Sequence, residues 1–163
     1  MGCIESREKR LVLIDGQNVA FGYNNAKKGK INKKDDRNFS AEALKNAIEH
    51  FENLGHEVKA IIPEFRVHHS SNNNLMREMK DSGQLILVAS KAYDDKVLLE
   101  AALKNNAAIV TNDRFRDIQE QTSNYNYIID NLIIRFNWVR DEFIPTEDSY
   151  GRCGPSLDDI LHI

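Results

Sequence analysis

Five aspartates stand where predicted strands end or where the next helix begins. Asp15 ends the first apolar run, and Asp113 ends the fourth. Asp94 and Asp95 follow the third run at the start of a helix. Asp117 comes four residues after Asp113, which predicts that it lies one helical turn along the same face. The carboxyl ends of parallel strands open onto the ligand crevice of a sheet, so we expect these carboxylates to converge there.

Carboxylates gathered in one crevice repel one another, and a divalent cation removes that penalty. Oxygen ligands without a neighbouring thiolate or imidazole favour Mg²⁺ or Mn²⁺ over zinc. Such a cation orients a phosphate, activates water and stabilises the leaving oxygen. The pattern therefore predicts phosphodiester hydrolysis, and we propose that Asp15, Asp95 and Asp113 bind one or two metal ions. Asp94 and Asp117 are predicted to act without contacting the ion directly.

Four of the five aspartates also have a purely structural explanation. Asp94 and Asp95 suit the N-cap and first turn of a helix, where the helix dipole favours negative charge. Asp113 suits the cap of a helix that starts at Arg114, and Asp15 before a glycine suits a turn. These explanations treat the residues singly. They do not explain why every position facing this edge carries the same charge.

Two asparagines lie beside the predicted acidic positions. Asn18 follows Asp15 by three residues, and its amide is predicted to hold that carboxylate or to contact the scissile phosphate. Asn112 has the same predicted relation to Asp113. Both are also ordinary turn residues, so the pattern leaves either interpretation open.

Apolar runs alternate with helical patterns, which predicts one domain with a parallel, three-layer α/β sheet. Ser40 is predicted to cap a helix that buries Leu54 and ends at Gly55. Residues 24–38 predict a loop, and Leu75–Lys80 a short helix. One or two helices are predicted after the fourth strand. The predicted strands are Leu11–Ile14, Val58–Ile62, Leu85–Val88, Ala108–Thr111 and Leu132–Val139.

The composition is that of an ordinary soluble domain: 163 residues with 41% hydrophobic residues and a net charge of -3. No apolar stretch approaches the ~20 residues that span a bilayer. With Cys3 and Cys153 at opposite ends and no histidine at zinc-ligand spacing, a reducing, cytoplasmic setting is expected. The start matches a myristoylation pattern at Gly2 with a palmitoyl site at Cys3, the one route predicted to a membrane. The alternative is that Met1 and Gly2 are a cloning start.

Four stretches occur in order over residues 10–162: Val12–Ala20, Tyr93–Lys96, Ile109–Asp117 and Phe143–Asp158. Together they resemble the Regnase (MCPIP) group of NYN-domain, PIN-like ribonucleases. The resemblance implies a PIN-like (NYN) fold over 10–162 after an extension at 1–9. It implies Mg²⁺- or Mn²⁺-dependent cleavage of single-stranded or loop RNA in mRNA decay or RNA silencing. The residues it implies for the acidic centre are Asp15, Asp94, Asp95 and Asp113, supported by Asn18 and Asp117.

The chain departs from that family in two places. The family usually carries a longer, arginine-rich segment before the Tyr-Asp-Asp motif, where this chain has only Ser90–Ala92. The loop after the first motif is enlarged, and residues 27–37 hold six basic and two acidic residues. This predicts that RNA is gripped by the enlarged loop, although a merely solvated loop is the alternative.

Basic and aromatic residues near the acidic positions are the predicted RNA contacts. Arg114 and Arg116 flank the acidic site and are the best candidates among the basic residues. Tyr93 or Phe65 is predicted to stack on a base, with a place in the core as the alternative. The full basic set is Arg66, Lys91, Lys96, Arg114, Arg116, Lys27, Lys28, Lys30, Lys33 and Lys34.

Three other functions compete with a nuclease. A catalytically silent RNA-binding or scaffold domain in a silencing or decay complex would have the same fold. A haloacid-dehalogenase-type phosphatase needs an Asp-x-Asp arrangement after the first strand, and this chain has Gln17 there. A receiver domain needs a phosphoacceptor aspartate after its third strand and a lysine after its fifth, and neither is evident. Expected partners are RNA, further copies of the chain and other RNA-decay or silencing proteins.

Overall fold

A computed structural model describes residues 7–163 of the chain. Five parallel strands form the central sheet in the order β3-β2-β1-β4-β5. The strands are β1 (Val12–Asp15), β2 (Val58–Pro63), β3 (Leu85–Val88), β4 (Ala108–Val110) and β5 (Ile133–Ile134). The predicted parallel sheet flanked by helices is confirmed. The predicted lipidation at Gly2 and Cys3 lies outside the described residues.

Seven α-helices accompany the strands of the described part of the chain. They are α1 (Gly16–Lys28), α2 (Ala41–Glu52), α3 (Asn73–Asp81), α4 (Asp95–Asn105), α5 (Arg116–Gln121), α6 (Asn126–Asn131) and α7 (Leu157–Leu161). Within residues 7–163, no helix combines the length and the apolar character that a membrane crossing requires.

The central strands and α2 supply much of the hydrophobic core. Every residue of β1 is buried, which fits the uninterrupted apolar run that predicted this strand. Ser40 caps α2 as predicted, because its hydroxyl accepts a hydrogen bond from the amide of Ala43 at 3.1 Å. The helix ends at Glu52, before the predicted Gly55. Leu54 therefore lies beyond the helix and is 48% exposed, so its predicted burial is wrong.

The predicted loop at residues 24–38 is wrong in its first five residues, because α1 continues to Lys28. Buried Asn24 donates its side-chain amide to the carbonyl of Asn38 at 3.0 Å, which gives this polar residue an inward-facing role. Lys27 and Lys28 occupy the last turn, where the helix dipole favours positive charge. Gly29 then ends the helix with a φ of 79°.

The outer strands also differ from the prediction. Strand β3 lies at the edge of the sheet, and Ile86 is 38% exposed, so the predicted burial of this strand is wrong. The last predicted strand is two strands. After β5, the chain forms β6 (Phe136–Val139), which pairs antiparallel with β7 (Glu142–Pro145) in a separate sheet. An apolar run shows burial but not where a strand changes sheets.

Candidate active site

Strand β1 passes directly into α1, with Asp15 as the N-cap of the helix. One oxygen of the Asp15 carboxylate accepts a hydrogen bond from the amide of Asn18 at 3.4 Å. A side chain at Gly16 would overlap Ile62 and approach the carbonyl oxygen of Ile61 to 3.1 Å. Glycine therefore allows the first turn of α1 to start against β2, and this close approach fixes the position of Asp15.

Thr111, directly after β4, connects two of the aspartates. Its hydroxyl donates to the second carboxylate oxygen of Asp15 at 2.8 Å and accepts from the amide of Asp113 at 3.1 Å. Asp113 in turn accepts from the amide of Phe115 at 2.9 Å. In the sequence, Thr111 is predicted only as the end of a strand. Its chemical role comes from the pairing of β1 with β4, which the sequence does not display.

Burial dominates the electrostatics of Asp15, which is 5% exposed. It raises the pKa of this carboxyl to about 7 against the hydrogen bonds from Thr111 and Asn18. The charges of Asp95 and Asp113 add to the rise of the Asp15 pKa. The protein thus holds a buried carboxyl beside two others at a cost that either a proton or a cation would relieve.

Asp95 and Asp113 form a pair. Partial desolvation in the cleft raises the pKa of Asp95, although this residue is exposed, and the nearby charge of Asp113 raises that pKa further. With Asp15 they line one cleft of about 520 Å³. This all-oxygen set has the donor chemistry that Mg²⁺ or Mn²⁺ needs. As they stand, the side chains of residues 7–163 contain no group of three acidic, histidine or cysteine residues arranged to hold an ion.

The wall of this first cleft combines amides, apolar groups and two basic residues. Arg66 is buried, and its guanidinium lies 4.9 Å from the ring centroid of Phe21 and 4.5 Å from that of Phe65. It donates to the side-chain oxygen of Gln17 at 3.2 Å. The first cleft is lined, besides the three aspartates, by Gln17, Asn18, Phe21, Gly22, Asn25, Ile31, Lys33, Arg66 and Tyr93.

Tyr93, one of two predicted stacking residues, lies in the first cleft and is partly buried. Burial and the charge of Asp15 raise the pKa of its hydroxyl, which keeps it protonated as a hydrogen-bond donor. Phe65 does not line the cleft. It is 40% exposed and packs beside Arg66 and His69. The ring centroids of Phe65 and His69 are 5.9 Å apart.

A second cleft of about 410 Å³ adjoins the first and shares Asp95 and Asp113 with it. Asp117 lies here, but the predicted helical face joining it to Asp113 is wrong. Phe115 has a φ of 53°, so the backbone turns before α5 begins at Arg116, and Asp113 lies outside the helix. The other residues that line the second cleft are Arg114, Phe115, Arg116 and Ile118.

The predicted RNA contacts divide into residues that line one of the two clefts and residues that line neither. Lys33 and Arg66 line the first cleft, and Arg114 and Arg116 line the second. Lys27 is engaged elsewhere, since its ammonium donates to the hydroxyl of Tyr23 at 3.0 Å. Like Lys27, the remaining predicted contacts are exposed and line neither cleft: Lys28, Lys30, Lys34, Lys91 and Lys96.

The side chains of Asp94, Asn18 and Asn112 form hydrogen bonds within the protein. Asp94 lines neither cleft and caps α4 by accepting from the amide of Lys96 at 2.8 Å. The side-chain oxygen of Asn18 accepts from the amide of Asn112 at 2.9 Å. The Asn112 side chain bonds to both the amide and the carbonyl of Phe136, at 3.1 Å and 3.0 Å. Asn112 thus ties the site to β6, and its side-chain hydrogen bonds go to Phe136 and not to Asp113.

Arg135 lies between β5 and β6, and the sequence pattern predicts no role for it in the site. Its guanidinium donates to the carbonyl oxygens of Thr111 at 3.2 Å and Asp113 at 2.5 Å. It therefore holds the turn that carries Asp113. The sequence offers no signal for this contact, because Arg135 stands inside a run that predicts one continuous strand.

Comparison with known proteins agrees with this architecture. A family model described as the Zc3h12a-like ribonuclease NYN domain matches residues 8–159. Among solved structures, nuclear proteinaceous RNase P 2 (PRORP2) from Arabidopsis thaliana matches 82% of this chain with a TM-score of 0.65 and 21% identity. A second structure of nuclear protein-only RNase P 2 matches 85% of the chain with a TM-score of 0.64 and 18% identity. This chain spans 29% of each of those proteins, and at such identities the likeness shows the fold alone.

Proposed function

We propose that this chain, which belongs to the Zc3h12a-like ribonuclease NYN domain family, is a metal-dependent endoribonuclease for single-stranded or loop RNA. The observation that carries the proposal is the single cleft lined by the carboxyl groups of Asp15, Asp95 and Asp113. These residues come from three separate segments of the chain. Strand pairing brings two of them together, and the start of α4 brings the third.

Asp15, Asp95 and Asp113 are the residues that would hold Mg²⁺ or Mn²⁺. When bound, the cation supplies the Lewis acid that polarises a phosphodiester and stabilises its leaving oxygen. The protein contributes hydrogen bonds that orient two of these three carboxylates. The hydroxyl of Thr111 and the amide of Asn18 fix both oxygens of Asp15, and the amide of Phe115 fixes one oxygen of Asp113.

Basic side chains in the two clefts would bind the RNA backbone. Lys33 and Arg66 line the first cleft, Arg114 and Arg116 line the second, and the two clefts share Asp95 and Asp113. Positive groups in both clefts suit a strand that continues past the cleavage point. This arrangement supports cleavage inside a strand in preference to removal of a terminal nucleotide.

A circular single-stranded RNA tests the proposal directly, because it has no ends for an exonuclease. We expect the purified chain to linearise it in Mg²⁺ or Mn²⁺ and to stop when a chelator is added. A circle that stays intact in both ions, under conditions where the chain binds it, would reject the proposal. That result would favour the silent RNA-binding domain.

The biological setting is part of the proposal. We infer mRNA decay or RNA silencing in the cytoplasm, with RNA, other decay or silencing proteins and further copies of this chain as partners. Support for this setting comes from the four motifs that resemble the Regnase group and from the family model. Depleting the protein from its cells and measuring mRNA half-lives tests it, and unchanged half-lives throughout the transcriptome would count against it.

A further inference from the structure

The segment of residues 29–36, which follows α1, is docked onto the fold. The amide of Asp35 donates to the carbonyl of Asn32 at 3.1 Å, and the side chain of Asn38 donates to the same carbonyl at 2.9 Å. The carboxylate of Asp36 lies 3.7 Å from the guanidinium of Arg66 and 2.9 Å from the ring of His69. Internal hydrogen bonds and these polar contacts therefore hold the 29–36 segment against the first cleft.

Two side chains of the 29–36 segment line the first cleft. Ile31 is partly buried and packs against the hydrophobic core. The ammonium of Lys33 lies 5.7 Å from the ring centroid of Phe21. Lys30 and Lys34, on the same segment, are exposed and line neither cleft. The enlarged loop therefore presents one apolar and one positive group beside the acidic residues.

We propose that Ile31, Lys33 and Tyr93 form a site for one unpaired nucleotide of RNA, adjacent to the phosphate that is cleaved. Ile31 and Tyr93 contact the base, and Lys33 contacts a backbone phosphate. This inference rests on the proposed function and specifies the substrate that the site selects. It also gives the 29–36 segment a role in substrate choice.

The chemistry of the cleft walls supports an unpaired base as the occupant. The volume of about 520 Å³ falls within the roughly 300–1,000 Å³ of small-ligand sites. An aromatic ring and an aliphatic side chain offer surfaces to the face of a base, which a duplex keeps stacked and covered. The side-chain amides of Gln17 and Asn25 also line the cleft and offer donors and acceptors to a base edge.

Binding measured in chelator separates recognition from cleavage. We would titrate fluorescently labelled single-stranded RNA octamers, one for each base, into the chain and record anisotropy at several salt concentrations. Lys33→Ala should weaken binding about 5- to 10-fold and reduce the salt slope by about 0.7, the value for one lost phosphate contact on a single strand. The matched controls Lys30→Ala and Lys34→Ala remove the same charge from the same segment. They should stay within about 2-fold of the parent, because neither lines the cleft.

The base contact is tested by Ile31→Ser, with Ile31→Val as the matched control. The serine variant should change the order of affinities for the four octamers, and the valine variant should keep the parent order. The thermal midpoint of each variant shows that it is folded. Equal losses from Lys33→Ala and Lys30→Ala, an unchanged order in Ile31→Ser, or no binding by the parent at low salt would each overturn the inference.

Cleavage of circular RNA by the same proteins distinguishes the two proposals. A parent that binds the octamers through Lys33 without cutting the circle would reject the nuclease and support this nucleotide site. A parent that cuts the circle, with equal binding by Lys33→Ala and Lys30→Ala, would reject the nucleotide site alone.

Discussion

Asp15 ends β1, Asp113 follows the adjacent strand β4, and hydrogen bonds fix both, whereas Asp94 and Asp95 are exposed at the start of α4. The fixed half of the acidic site is part of the sheet. Thr111 bridges its two aspartates, and Asp15 is almost inaccessible to solvent. The exposed half stands on a helix terminus, where only Asp94 has a role in local structure.

This difference indicates how the site divides its work. Groups fixed by packing and hydrogen bonds keep a productive geometry, while an exposed carboxyl can adjust to an ion or a substrate. The fixed half accepts the cost of burying charge, which appears as the raised pKa of Asp15. The exposed half has two neighbouring aspartates, and only Asp95 lines the clefts. Mutations in the two halves should therefore have unlike consequences.

The largest effect is expected from Asp95→Asn, compared with Asp94→Asn. Both variants remove one charge at the start of α4, and asparagine caps a helix as well as aspartate does. Loss of the Asp95 charge should lower the RNA cleavage rate about 100- to 1,000-fold, because positioning and charge stabilisation fail together. Loss of the Asp94 charge should lower it by no more than about 10-fold, since Asp94 lines neither cleft.

The initial rate of RNA cleavage at saturating Mg²⁺ is measured for both variants, and circular dichroism checks that α4 is retained. Similar losses in the two variants would contradict the division within the exposed half and would give Asp94 a direct part in catalysis. Full activity in Asp95→Asn would reject the assignment of the acidic centre itself.

A second prediction concerns stability in chelator. The folded-state pKa of Asp15 is about 7, above its ordinary value of 3.8. Between these two values the folded protein therefore keeps a proton on Asp15 that the unfolded chain has lost. The destabilisation of the folded state by Asp15 is therefore absent below about pH 4, grows as the pH rises to about 7, and is complete above that. Asp15→Asn should raise the free energy of unfolding at pH 8 by an amount on the order of a few kcal/mol.

Thermal unfolding in chelator at pH 5, 6, 7 and 8 measures this effect. The difference in midpoint between Asp15→Asn and the parent should widen with pH. Asp94→Asn serves as the control from the exposed half and should show little change in midpoint across this range. A variant of Asp15 that is less stable than the parent at pH 8 would show that hydrogen bonds, and not burial of charge, dominate at this position.

The same division marks what the sequence could predict. The sheet and the ends of its central strands could be predicted, because uninterrupted apolar runs indicate strands that are buried on both faces. Asp15 and Asp113 could therefore be assigned to the same edge of the sheet. Asp94 and Asp95 could be placed at a helix start because N-cap preferences are local. These inferences need only the neighbouring residues and the rule that parallel strands share their carboxyl ends.

Contacts between distant segments could not be predicted in this way. Thr111 meets Asp15 across 96 positions, and Arg135 reaches Asp113 across 22, and neither spacing carries a periodic signal. The relation of Asp117 to Asp113 was predicted wrongly because the positive φ of Phe115 breaks a helix that the four-residue spacing suggests. From the sequence, the 29–36 segment could be predicted only as a charged loop. Its docking depends on Arg66, and the sequence shows that residue only as basic.

Arg135 gives the smallest predicted effect and tests how the fixed half keeps its geometry. Its guanidinium donates to the carbonyls on both sides of Asn112, so Arg135→Met should loosen the turn that carries Asp113. We expect kcat to fall about 10-fold, equivalent to about 1.4 kcal/mol, with KM for RNA little changed. The Mg²⁺ concentration that gives half the maximal rate should rise.

Tyr150→Phe is the matched control. The Tyr150 hydroxyl accepts from the amide of Ile133 at 2.8 Å and donates to the carbonyl of Ile129 at 2.7 Å, so its loss perturbs the same edge of the sheet without touching the turn of Asp113. Arg135→Lys retains one charged donor and should recover part of the lost kcat. If Tyr150→Phe and Arg135→Met reduced kcat and the Mg²⁺ response equally, Arg135 would serve stability alone. The fixed half would then owe its geometry to Thr111 and the strand pairing, because no distant side chain would be needed to position Asp113.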